Sequence, residues 1–184
     1  MARGGVGSPE TLAGEGLRLS RYRAGDGPDL LEAVRESWGE VAPFETWCHE
    51  GYTLEEAADH ALGWDRAWES GAAYYFAVRE EATGRYLGSC GLCPVEREHG
   101  TAGLGFWVRT SATGRGVATS AARLVAGFGF AELGLHRLEL MMAVHNAASR
   151  RVAEKLGAEY EGTLRRRLTL PAGPTDMAMY ALLR

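Results

Sequence analysis

The run Thr113-Gly114-Arg115-Gly116-Val117-Ala118-Thr119 has the composition of an anion cradle. Gly114 and Gly116 lack a Cβ, so the backbone can approach a ligand closely there. A helical face follows at once, with Val117, Ala121, Leu124, Val125 and Phe128 at i, i+4, i+7, i+8 and i+11. The first N–H groups of a helix have no partner within it, and the helix dipole places positive potential behind them. A pyrophosphate is the natural guest of such a loop. Two other phosphate motifs are excluded. No Gly-Lys pair of a P-loop occurs, and Thr119 follows Gly114-x-Gly116-x-x where a dinucleotide fingerprint needs a third glycine.

Cysteine chemistry is a weaker reading. Cys90-x-x-Cys93 lies in a strand-like run, where odd spacing sends the two side chains to opposite faces. No second ligand pair at zinc spacing accompanies it and Cys48 stands alone, so no metal is expected. Three cysteines make no disulfide framework, which points to a reducing, cytoplasmic setting.

These residues need a scaffold, and 184 residues with 46% hydrophobic content supply one domain with a real core. Residues 1–16 are Gly-rich and polar and read as a flexible tail without the apolar run of a signal peptide, leaving 17–184 as a single domain. No apolar stretch is long enough to span a membrane. Leu17 to Tyr22 alternates like a strand, and Pro28 suits the start of a helix to about Trp38. The stretch 39–51 reads as an aromatic-rich loop, and Thr53 with Glu56 makes a capping box for a helix to about Ser70. Tyr74–Val78, Tyr86–Cys93 and Thr101–Arg109 read as an antiparallel meander, since their connections are too short for crossovers. The helix of the glycine loop should end near Gly134. A strand over Leu138–Val144, a short helix capped by Asn146 and ended by Gly157, and two closing strands around Ala158–Leu170 and Asp176–Leu183 complete a mixed α/β unit.

Charge is divided unevenly. Between Asp26 and Glu69 twelve acidic residues face two arginines, a net −10, whereas Arg109 to Arg167 carries a net +5. Solvated helix faces explain both, and so does an acidic side for a cationic substrate with a basic side for an anionic ligand. Arg165-Arg166-Arg167 reads as a solvated strand end, and an acidic chain with one short basic cluster argues against nucleic-acid binding.

Several ordered blocks then resemble the GNAT acyltransferase superfamily: Gly105-Phe-Trp-Val108, Thr113 to Ala118, Leu133-Gly-Leu-His-Arg-Leu-Glu-Leu140, and Asn146 to Gly157. The last block, with Glu161-Gly-Thr-Leu164 and Asp176-Met-Ala-Met-Tyr180, is similar to the branch of RimJ/RimL-type ribosomal-protein N-terminal acetyltransferases. The resemblance spans roughly residues 16–183 and implies a mostly antiparallel sheet of about six or seven strands, splayed into a V and flanked by about four helices. It implies acetyl-CoA in that V, held by backbone groups of Trp107 and Val108, by the loop from Thr113 to Thr119, and by Asn146 and Ser149. Monomer and homodimer are both compatible with the branch.

Departures from the family pattern bear on mechanism. Thr113 stands where the loop usually begins with Arg or Gln, Ala153 where many members carry a tyrosine as general acid, and Gly103 where a glutamate is common, so that no base is evident. Ser149 is then the expected proton donor to the departing thiolate, and a backbone N–H near Val108 the oxyanion contact. A lysine-like amine is only about one part in 2,500 neutral at pH 7, whereas an α-amine is roughly a tenth neutral. A site without a strong base therefore suits an α-amine, unless Glu36, Glu40 or another acid relays a proton through water. Trp38, Glu40 and Trp47 are expected to wall the acceptor pocket. The expected function is acetyl transfer from acetyl-CoA to the α-amine of a protein or peptide. The alternatives are a small cationic amine or antibiotic as acceptor, a succinyl donor, or a catalytically weak acyl-CoA sensor.

Overall fold

The computed structural model describes residues 9–184. One sheet holds eight strands in the order β1-β2-β3-β4-β5-β6-β8-β7. These are β1 (Thr11–Gly14), β2 (Leu17–Arg21), β3 (Tyr74–Glu80), β4 (Tyr86–Glu96), β5 (Thr101–Val108), β6 (Arg137–Ala143), β7 (Glu159–Leu170) and β8 (Gly173–Leu183). Four helices accompany them: α1 (Gly27–Val41), α2 (Leu54–Ser70), α3 (Val117–Ala131) and α4 (Ala147–Leu156).

The sheet is one strand larger than the upper expectation, because Thr11–Gly14 pairs antiparallel with β2. The expected tail to residue 16 therefore carries a strand, and its first eight residues lie outside the described part. Local signals placed most other elements well. Thr53 and Glu56 exchange backbone-to-side-chain bonds of 3.2 and 2.8 Å at the start of α2. Helix α1 runs three residues past Trp38, and α3 ends at Ala131, with Gly134 taking its positive φ (69°) in the loop beyond.

Two apolar layers sandwich the sheet. On one face α3 and α4 pack over β4, β5 and β6, around Phe76, Leu92, Val125, Phe128, Leu138 and Leu140. On the other, α1 and α2 cover the β2–β4 region, burying Tyr22, Leu30, Val34, Tyr86 and Trp107. Leu30, Ala33, Val34 and Ser37 of α1 are its buried side at i, i+3, i+4 and i+7.

Among the described residues, strands β5 and β6 are the only parallel neighbours, as the α3 crossover between them requires. They pair at just three positions, Thr101–Gly103 against Arg137–Glu139, and then diverge. Each keeps its other partner: β5 stays on β4 to Gly88↔Val108, and β6 stays on β8 to Ala143↔Met177. Beyond Gly103 the facing edges open into a V whose backbone donors and acceptors lack a strand partner.

Candidate active site

A cavity of about 400 Å³ fills the mouth of that V. The end of β5 (Phe106, Trp107, Val108) forms its back. The loop before α3 and the first turn of α3 form one wall, α4 a second, and the segment from Glu40 to Glu45 a third.

The glycine loop is built as an anion site. Gly114 and Gly116 have φ of 74° and 84°, a region costly for any residue with a Cβ. Gly116 is the N-cap of α3 and supplies no side-chain cap, so the first N–H groups of the helix stay open. Among the described residues, Thr113 N–H and Ser120 N–H donate to backbone carbonyls, and the N–H groups from Gly114 to Thr119 find no backbone acceptor outside the helix. Thr113 fastens the loop: its hydroxyl and its N–H both donate to the Thr110 carbonyl, at 2.8 and 3.1 Å. Val117, Ala118 and Thr119 line the cavity, whereas Arg115 turns away to pair with Glu80 at 2.7 Å. Two cations that the sequence reading missed take its place. Ala148, Arg151, Val152 and Lys155 of α4 line the cavity at i, i+3, i+4 and i+7, a helical face that was there to be read.

Beyond the end of β6, Asn146 Oδ1 accepts from Ser149 N–H at 3.0 Å. Asn146 is thus the N-cap of α4, and its side-chain nitrogen remains for a ligand. Ser149 lines the cavity one turn along. Ala153 instead lies fully buried in the core, so a tyrosine there would have to displace packed side chains. The glycine at 103 has an equally concrete reason. A Cβ on Gly103 would stand 2.4 Å from the Cys93 carbonyl oxygen, where β4 bulges between Leu92 and Val95. No glutamate fits at that position without moving β4.

The acceptor side departs from expectation. Glu40 lines the cavity with Val41, Phe44 and Glu45. Trp38 is exposed and does not line it. Trp47 does not line it either; it stands behind, edge-on to Trp107 at 5.6 Å between centroids, and its indole N–H donates to Glu45 at 3.1 Å. Phe44 reaches across to His145 at the end of β6 (5.5 Å). The Trp107 indole nitrogen is the one buried side-chain N or O atom without a partner among the described residues.

Much of the acidic segment is spent on internal pairs. Asp26 and Asp29 hold Arg79, Asp65 and Glu69 hold Arg21, and Glu32 and Glu36 hold the buried Arg109. Glu36 also accepts from Ser111 N–H at 2.7 Å, and Ser37 accepts from Thr110 N–H at 2.9 Å. Helix α1 thereby clamps the turn that leads into the glycine loop. The Arg109 guanidinium, with the Ser111 contacts, holds the Glu36 carboxyl down to about 2 against the opposing effect of burial. Glu36 is thereby held as an anion tied to Arg109 and Ser111. Cys90 is buried and Cys93 exposed, on opposite faces of β4 as their spacing requires.

Residues 17–159 match the model of the acetyltransferase (GNAT) domain. The probable N-acetyltransferase YjcK of Bacillus subtilis is 30% identical over 133 residues, covering 72% of this chain and 74% of the relative. A RimL ribosomal α-N-protein acetyltransferase solved with coenzyme A superposes with a TM-score of 0.88 at 20% identity, over 95% of this chain and 98% of that one. RimJ of Mycobacterium smegmatis, solved with a coenzyme A disulfide, gives a TM-score of 0.83 at 23% identity, over 91% and 81%.

Proposed function

This chain belongs to the GNAT acetyltransferase family and uses acetyl-CoA, and we propose that its acceptor is the α-amine of a protein or peptide N-terminus. The observation that carries the reading is the cavity at the β5–β6 splay. It gathers the open N–H groups of α3, the cations Arg151 and Lys155, the end of β5, and Ser149 around one space. The donor set fits the co-substrate: backbone amides and cations for the diphosphate, and strand-edge amides for an acylated arm. The RimL neighbour, named an α-N-protein acetyltransferase, supports the choice of amine. The acidic segment offers a small cationic acceptor less than its charge suggests, since six of its twelve carboxylates already hold arginines.

In this reading a backbone N–H near Val108 polarises the thioester carbonyl, and the neutral amine attacks its carbon. The new N–C bond forms as the C–S bond breaks, and the Ser149 hydroxyl relays a proton to the departing thiolate. Asn146 contributes its side-chain nitrogen to the bound arm while its oxygen caps α4. The site of action is the cytoplasm, where Cys48, Cys90 and Cys93 stay free thiols; no helix among the described residues is long and apolar enough to cross a membrane. Free-thiol release from acetyl-CoA with panels of α-amine peptides, lysine-like amines and cationic antibiotics tests the proposal. Release dependent on α-amine peptides is expected, and turnover confined to ε-amines or to antibiotics would overturn it.

A further inference from the structure

We infer that Glu45 is the general base that takes the proton from the acceptor's ammonium group. The inference rests on amine acetylation at this cavity and adds the group that the glycine at 103 leaves missing. Three carboxylates stand near the site, and their partners separate them. Glu36 is locked to Arg109 and Ser111. Glu40 lines the cavity but accepts from the Thr110 hydroxyl at 3.1 Å at the exposed rim. Glu45 lines the same cavity as Val108 and Ser149, and among the described residues its side chain bonds only to the Trp47 indole. Its backbone is fixed by a turn that extends α1, with Glu45 N–H donating to Val41 at 3.0 Å and Cys48 N–H donating to Glu45 at 3.1 Å. Trp47 is in turn wedged against Trp107 and His60, at 5.6 and 4.9 Å between centroids. A carboxylate held this way has few alternative positions.

The surroundings suit a base. Burial pushes the Glu45 carboxyl upward, and the Trp47 indole draws it part of the way back. The groups around it are Glu40 from α1, Cys48 in its own turn, Tyr75 from β3, His60 from α2 behind Trp47, and Arg151 and Lys155 of α4 along the cavity. Cys48 is pushed up to about 11 and His60 down to about 4, both chiefly by burial, and burial also raises Tyr75, so all three are uncharged near neutrality. In the step, one ammonium proton passes to Glu45 and the neutral nitrogen bonds to the acyl carbon. The second proton leaves the nitrogen as the C–S bond breaks and ends on the thiolate, and Glu45 returns its proton to solvent.

The test compares pH profiles of kcat/KM for the wild type, E45Q and W47F, using the fastest acceptor of each amine class, with acetyl-CoA affinity read by calorimetry. E45Q should lose about 10²-fold or more at pH 7 with acetyl-CoA affinity unchanged. Its profile should rise with pH up to the amine's own pKa, so that the defect on α-amines narrows by about tenfold between pH 7 and 9. W47F keeps the carboxylate and removes a bond to its ionised form, so its acid limb should move to higher pH. An E45Q profile parallel to the wild type, or a loss carried by acetyl-CoA affinity, overturns the base while leaving the acceptor proposal standing. Wild-type turnover of small amines alone, with the narrowing E45Q defect, overturns the acceptor class and upholds the base.

Discussion

Replacing Glu36 by Gln removes the charge that holds the buried Arg109 and, through Ser111, the entrance to the glycine loop. The carboxyl sits at about 2 in the fold against an ordinary 4.5, which corresponds to about 3 kcal/mol of preferential stabilisation of the charged form. The side chain is 27% exposed, so solvent screening lowers the expected loss to about 1–2 kcal/mol. The sign follows from a depressed folded value: the contribution is fully present above the unfolded pKa of 4.5 and disappears as pH falls through about 2. Urea denaturation of the wild type and E36Q from pH 7 to pH 3 measures it. The gap between the two proteins should be about 1–2 kcal/mol at pH 7 and shrink by more than half by pH 3. Acetyl-CoA affinity should fall as well, because the turn at 109–112 feeds the anion loop. A gap that stays constant with pH would refute the ion-pair account of this clamp.

Gly103→Ala places a Cβ 2.4 Å from the Cys93 carbonyl oxygen and should destabilise the fold by about 1–3 kcal/mol in the same assay, whereas unchanged stability would show that β4 yields freely. Gly116→Ala, at φ 84° with no neighbour within 4 Å of the added Cβ, should cost about 1–2 kcal/mol through backbone strain and weaken acetyl-CoA binding by calorimetry. Ser149→Ala should lower kcat by about 10²-fold with acetyl-CoA affinity retained, because Ser149 meets the Asn146 cap only through its backbone N–H, which alanine keeps. A comparable loss in affinity instead would mark Ser149 as a binding group.

What the sequence determined alone was whatever depends on near neighbours along the chain. The capping box of Thr53 and Glu56, the Asn146 cap, the glycine loop at Gly114 and Gly116 and the apolar face of α3 each need only residues within a few turns, so their spacing reveals them. The splayed fold came from the resemblance of the ordered blocks to a known family and not from any local spacing. The face of Arg151 and Lys155 was equally legible, but only the cavity shows what it meets. The strand at Thr11–Gly14 was missed because four residues among glycines carry almost no pattern, and pairing with β2 makes it a strand.

Tertiary structure decided the roles of the charges. Glu36 meets Arg109 across 73 positions of sequence, and nothing local distinguishes it from Glu40 or Glu45. One becomes a structural anion, one sits at the rim, and one faces the cavity with an indole at its back. Gly103 likewise reads as a bare departure from a pattern until the β4 bulge brings the Cys93 carbonyl against it. Both outcomes arise from long-range strand and helix pairing. That pairing sets distances and desolvation, the quantities that fix a carboxylate's chemistry and that spacing along the chain does not encode.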